Sequence, residues 1–192
     1  WSSDVCSSDL NIFSRFWNWL LNIFWKKQMS ITIIGLSNAG KTTLVKALMG
    51  QKDEDSIPTI GVEEKKFSKG GIEIKAWDIG GHKQFQFLWG SYCQNADAIL
   101  FVLDAADESA IEESAGKIRE LVKNESLEKI PLLICGNKCD LPKALNEEQL
   151  ISRFADIEGR DVALFTISAK EEMNLDSVIK WLIDHADRKS VV

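Results

Sequence analysis

"GLSNAGKT", Gly35 to Thr42, is the stretch on which the reading of this chain turns. It fits G-x-x-x-x-G-K-[ST], follows the apolar run "SITIIG" and leads into the helical pattern "KTTLVKALM". A strand, a glycine-rich turn and a helix N-terminus in that order form a phosphate loop, because successive backbone N–H groups and the helix dipole all face an anion. The N–H groups of Asn38, Ala39, Gly40, Lys41, Thr42 and Thr43 are expected to face phosphate oxygens. The Lys41 ammonium would reach the β- and γ-phosphates, and the Thr42 hydroxyl would ligate Mg²⁺.

Outward from this loop, "AILFVLDA", "PLLICGNK" and "VALFTIS" are near-continuous apolar runs, the pattern of parallel strands buried on both faces. "KKFSKGGIEIKAWD" differs, since two alternating runs flank Lys69-Gly70-Gly71 and read as a β-hairpin. Helices fit Lys41 to Met49, Ser109 to Lys123, Asn146 to Phe154 and Leu175 to Ala186. The sum is an α/β fold, a doubly wound, mostly parallel six-stranded sheet with one antiparallel edge hairpin.

The chain has 192 residues, 45% apolar and 27% charged, with a net charge of −6, which suits one globular domain and offers no basic field for nucleic acid. A monomer is expected. "CGNKC" has three residues between its cysteines and no second half, so the thiols read as reduced and cytosolic rather than as a metal site. The ends read differently: "WSSDVCSSDL" and "DRKSVV" resemble translated short-read sequencing adapters, so residues 1–10 and 187–192 are expected to be non-native. The domain is then expected over residues 28–186.

Residues 11–27 open with "NIFSRFWNWLLNIFWKK". Asn11, Arg15, Asn18 and Asn22 make a narrow polar stripe, while Ile12, Phe13, Phe16, Trp17, Leu20, Ile23 and Phe24 cover much of the remaining surface. This reads as an interfacial amphipathic helix, short of the ~20 apolar residues needed to span a bilayer. Trp17, Trp19 and Trp25 would anchor at the interface and Arg15, Lys26 and Lys27 would meet anionic headgroups. The other reading is a helix docked on the protein's own core.

Base identity rests on "NKCD", Asn137 to Asp140, and "SAK", Ser168 to Lys170, each after a strand. The Asp140 carboxylate can accept from both N1–H and the 2-amino group of guanine, a donor pair that adenine lacks. The Ala169 N–H would meet guanine O6, with Lys138 and Lys170 packed along the nucleotide. A phosphate-loop kinase or ATPase is the alternative, and "NKCD" argues against it.

With "PTIGV" and "WDIGGH" standing between these motifs, the chain resembles a Ras-superfamily small GTPase of the Arf branch over Asn11 to Ala186. Through "FWKKQM", "DSIPTIGV", "KAWDIGG", "DAAD" and "KWLIDHA" it is most similar to the lysosome-associated Arf-like subgroup eight. The resemblance implies GTP as substrate and GDP as product. It implies that Thr59 closes on Mg²⁺ and the γ-phosphate, Asp78 reaches the metal through water, and Gly81 donates its N–H to the γ-phosphate. It further implies a hairpin from Val62 to Trp77 that slides between nucleotide states and frees the amphipathic helix for membrane, a cytoplasmic protein that is peripheral on lysosomal or late endosomal membrane when GTP is bound. An exchange factor, an activating protein and effectors are the implied partners.

Three departures from the family pattern stand out. Ser37 replaces the usual Asp of the phosphate loop. Val62 replaces an aromatic residue that normally joins those at Trp77 and Tyr92 in an effector-reading patch, and for those two partial core packing is equally open. His82 stands where most of the branch has Gln; neutral imidazole has one donor and one acceptor nitrogen and can hold a water, and the Sar subgroup carries the same "GGH" and hydrolyses GTP. Catalysis is thus expected from His82, Gly81 and Lys41. No arginine occurs between Arg15 and Arg119, so neither of the two implied nucleotide-sensing switches, the first at "PTIGV" and the second at "WDIGGH", supplies an arginine finger, and rapid hydrolysis would need one from an activator. A GTP-holding tether with negligible turnover is the other functional reading.

Overall fold

The computed structural model describes residues 27–51, 59–157 and 161–189. The apolar positions Ile12 to Phe24, the adapter-like residues 1–10 and 190–192, and the start of "PTIGV" lie outside them.

Six strands form one sheet: β1 Lys27–Ile34, β2 Val62–Lys69, β3 Ile72–Ile79, β4 Ala98–Asp104, β5 Leu132–Asn137 and β6 Val162–Thr166. Their spatial order is β2-β3-β1-β4-β5-β6, with only β2 and β3 antiparallel, which is the sheet the sequence pattern predicts. Gly70 and Gly71 make the hairpin turn with φ of 58° and 81°. Two consecutive positive-φ residues match the right-handed twist of the flanking strands, which is why glycine stands at both.

The helices are α1 Lys41–Leu48, α2 Trp89–Gln94, α3 Glu108–Val122, α4 Glu147–Arg153 and α5 Leu175–Lys189. α5 runs three residues past Ala186, where the sequence reading ends it. α2 and the 3-10 turn before it, Lys83–Leu88, are not foreseen by the periodicity. Side chains of β4 alternate between two cores. Leu100 and Val102 pack with α1 and α5, through Leu44, Val45, Val178 and Leu182. Ile99, Phe101 and Leu103 pack with the opposite layer, through Trp89, Ile111, Ile118 and Leu150. Burial on both faces explains the unbroken apolar runs.

β1 sits between β3 and β4, and the chain leaves it for β2 and β3 on one side before crossing to β4 on the other. This reversal opens a crevice at the carboxyl ends of the strands, where ligands of doubly wound sheets bind. The phosphate loop follows β1, Asp78 lies near the end of β3, Asn137 ends β5, and Ser168 follows β6.

Candidate functional site

A cavity of about 390 Å³ opens at that crevice, lined by Ser37, Asn38, Gly40, Lys41, Thr42, Thr43, Thr59, Gly80, Gly81 and His82. Residues from the phosphate loop and both switch motifs, far apart in sequence, therefore share one wall.

Thr42 at the start of α1 donates its hydroxyl to Asp78 Oδ2 at 2.6 Å and lies 2.8 Å from the Thr59 hydroxyl, which is itself 3.4 Å from the same carboxylate oxygen. Asp78 is fully buried and its other oxygen, Oδ1, has no hydrogen-bond partner. A buried carboxylate oxygen left unpaired beside two hydroxyls is a hard-oxygen donor set, and it suits a small divalent cation such as Mg²⁺. Burial pushes the Asp78 carboxyl above its ordinary range, while the Thr42 hydrogen bond and the Lys41 charge pull the other way.

Lys41 is buried too, and desolvation pushes its ammonium down to about 8 against the opposing charge of Asp78. It donates to the Leu36 carbonyl at 2.8 Å. The same Leu36–Ser37 peptide receives the second switch, since a Cβ on Gly81 would lie 2.3 Å from the Leu36 carbonyl carbon and 2.4 Å from the Ser37 nitrogen. Those are backbone atoms that cannot step aside, so only glycine permits this approach. Gly80 is equally confined, 2.7 Å from the Thr59 carbonyl by the same construction, and its N–H donates to the Gly61 carbonyl at 2.8 Å. The two switches are thereby joined to each other and to the phosphate loop. His82, next in sequence, is exposed at the cavity rim.

At the other end, Asn137 is 3% exposed and works as a strut. Its Nδ2 donates to the Ala39 carbonyl at 2.8 Å and its Oδ1 accepts from the Ala169 N–H at 2.9 Å. The Ala169 N–H expected to face guanine O6 is thus already engaged, and any contact to the base is a shared one. Ser168 is buried, its hydroxyl accepts from the Glu171 N–H, and its backbone bridges to Met173. Asp140 and Lys170 are exposed.

Lys138 adopts φ of 66° and is held by Asp104 at 2.6 Å. Of the carboxylates in "DAADES", Asp107 is the N-cap of α3, while Asp104 anchors a nucleotide-motif lysine, a role the sequence reading does not foresee. The signal lies in the sheet, where Asp104 is the register partner of Asn137.

Trp77 and Tyr92 meet at 5.3 Å between ring centroids, and half-buried Val62 packs against the same core cluster as Tyr92. Lys75 lies 4.5 Å over the Trp77 ring and pairs with Glu64 at 3.3 Å, a cap that sequence reading does not foresee. Both expected roles of the aromatics, packing and presentation, are compatible with this half-buried state.

Comparison with known proteins bears on this geometry. The profile of the ADP-ribosylation factor family matches residues 16–186. ADP-ribosylation factor-like protein 8c of Arabidopsis thaliana is 40% identical over 180 residues, covering 92% of this chain and 98% of that protein. Among solved structures, the Arl6 BBS3 small GTPase from Trypanosoma brucei with bound GppNp superposes with a TM-score of 0.75 at 26% identity, covering 84% of this chain and 98% of the other. With its phosphate loop, switches and base motifs assembled at one crevice, the chain belongs to the ADP-ribosylation factor family of Arf-like small GTPases.

Proposed function

We propose that this protein is a membrane-recruited switch that binds Mg²⁺ with GTP, engages effectors in that state and returns to GDP by slow hydrolysis. The observation that carries the reading is the convergence of Thr42, Thr59 and Asp78 beside Gly81 docked on the Leu36–Ser37 peptide. A γ-phosphate at that point would touch both switches at once, and its loss would release both.

Within the site, Thr42 and Thr59 would hold Mg²⁺ through their hydroxyls and Asp78 through a water. The cation would supply neutralisation of phosphate charge. Lys41 balances the remaining charge and the Gly81 N–H donates to the γ-phosphate. His82 at the rim holds the attacking water in line, its acceptor nitrogen taking a hydrogen bond from that water. Asp140 selects guanine. With no arginine in either switch, an activating protein supplies the missing cation, an effect on the order of 10³ to 10⁵ in rate for such enzymes. An exchange factor discharges GDP.

The membrane part of the proposal rests on the sequence of residues 11–27, with lysosomal or late endosomal membrane as the expected site by resemblance. Single-turnover hydrolysis tests the catalytic part. His82→Ala is expected to slow the step by on the order of 10²-fold, with GTP affinity retained. An unchanged rate would remove His82 from catalysis and favour a long-lived GTP-holding tether. Flotation of GTP-loaded protein with liposomes, with and without residues 11–25, tests recruitment; equal flotation of both forms would sink it.

A further inference from the structure

The polar side chains that line the nucleotide cavity fall into two groups. Lys41, Thr42 and Thr59 are engaged by protein, through the Leu36 carbonyl and the Asp78 carboxylate. Ser37 and His82 are exposed in the same lining, and among the described residues neither side chain has a hydrogen-bond or ionic partner. Asn38 is exposed as well, but its φ of 62° gives a backbone reason for asparagine, which tolerates the left-handed region. No such reason accounts for Ser37.

The close approach of Gly81 brings the two free groups to one place. A Cβ on Gly81 would lie 2.4 Å from the Ser37 nitrogen, and His82 is the next residue. Adding standard bond lengths to that approach puts the Cα atoms of Ser37 and His82 within about 9 Å of each other. Both side chains line one cavity, so a hydroxyl and an imidazole face a common space. The gap left between them suits one water making two hydrogen bonds of about 2.8 Å.

A water held by His82 alone can turn about its single hydrogen bond. Held through both hydrogens, it presents a lone pair in one direction. A serine hydroxyl has the acceptor capacity for the second hydrogen, and its own O–H stays free to donate to a γ-phosphate oxygen. An ionised Asp at this position could accept but not donate, and would set a negative charge against the phosphate.

We propose that Ser37 is a further catalytic residue for GTP hydrolysis, its Oγ accepting one hydrogen of the attacking water while His82 accepts the other. Ser37 thereby deepens the GTPase reading above, on which its role rests. The water oxygen bonds to the γ-phosphorus, and the bond from that phosphorus to the β–γ bridging oxygen breaks with its electron pair leaving on GDP. Both water hydrogens end on the inorganic phosphate, released as H₂PO₄⁻, so neither side chain gains or loses a proton. What the pair supplies is orientation.

Single-turnover hydrolysis by the full chain loaded with Mg²⁺–GTP tests this, alongside the GTP dissociation constant of each variant. Ser37→Ala is expected to slow the step about tenfold, the range of one neutral hydrogen bond, with GTP affinity kept within about twofold. Ser37→Thr, which keeps the hydroxyl, is expected to be at least about threefold faster than Ser37→Ala. In a His82→Ala background, Ser37→Ala is expected to cost less than about twofold, because both residues seat the same water. A merely structural role for Ser37 would not produce that coupling. A Ser37→Ala variant at the parental rate, a Ser37→Thr variant as slow as Ala, or losses at the two sites that multiply would each overturn the proposal. So would rate and affinity falling together, which would make Ser37 a binding residue. The His82→Ala single variant separates the two levels. If it keeps the parental rate, the role of His82 and the shared seat both fall; if it is slowed while Ser37→Ala is not, only Ser37 falls.

Discussion

Asn137 shows how a motif residue is legible in kind but not in place. "NKCD" announces a base-binding turn, yet the side chain spends both its polar groups on protein, joining the phosphate loop to the "SAK" loop across 98 residues on one side and 32 on the other. Asn137→Ala would strand a buried carbonyl and a buried N–H, at about 1 to 3 kcal/mol for each. A loss on the order of 2 to 4 kcal/mol in urea unfolding, with faster nucleotide release, is the expected outcome; an Ala variant as stable as the parent would show that water replaces the strut. The cysteines make a second residue-scale test. Burial pushes the Cys135 thiol up to about 12, and Cys139, partly exposed, is raised less by burial and the neighbouring Asp140 charge. Native alkylation with iodoacetamide at pH 8 followed by mass spectrometry should therefore label Cys139 and spare Cys135, because only the thiolate reacts and, of these two, Cys139 is the reachable one.

Among the elements, those with two or more turns of clean periodicity or a β-branched run were readable, and the one that frames the second switch was not. "KQFQFLWGSYCQ" forms a 3-10 turn and a six-residue helix in which only Trp89 and Cys93 are fully buried, Leu88 and Tyr92 being half-buried against the same core. Two fully buried positions are too few to set a period, and Gly90 lowers helix propensity further. Just ahead of this segment, Gly81 lies against the Leu36–Ser37 peptide. Gly81→Ala should break that contact, weakening GTP relative to GDP by at least about tenfold, or ~1.4 kcal/mol; equal losses for the two nucleotides would mean that the docking is unrelated to the γ-phosphate. The start of α3 behaves differently because its cap is local. The Ser109 hydroxyl and the Ala110 N–H hold the Asp107 carboxyl below the usual carboxylate range. The folded state then binds this proton less readily than the unfolded one. Its stabilisation is present above the ordinary carboxylate pKa and is lost as pH falls through the lowered one. Urea midpoints measured at neutral and acid pH should differ less in Asp107→Asn than in the parent.

At the scale of the molecule, strand order and the position of the crevice follow from the alternation of runs and helices, but the meeting of Thr59, Asp78 and Thr42 depends on how β3 lies beside β1. The sheet register that sets this is a long-range property, which one-dimensional periodicity does not contain. Because the site draws on the ends of β1, β3, β5 and β6, a nucleotide bound there must be released for the sheet to come apart. Ligand binding therefore adds RT ln(1 + [L]/Kd) to global stability, about 4 kcal/mol at a thousandfold excess over Kd. For a chain of this size each kcal/mol raises Tm by about 2 to 4 °C, so Mg²⁺–GDP should raise it by roughly 8 to 16 °C. ADP should not, since the Asp140 carboxylate would face a base without the N1–H and 2-amino pair. Asp140→Asn inverts the pattern, as a carboxamide can accept from N1–H while donating to a 2-oxo group. Its protection should pass from GDP to xanthosine diphosphate. Chelating Mg²⁺ should cut the GDP shift while leaving the unliganded Tm in place, because the metal's contribution comes through the phosphates. Equal protection by ADP and GDP in scanning fluorimetry would overturn the assignment of guanine to this crevice.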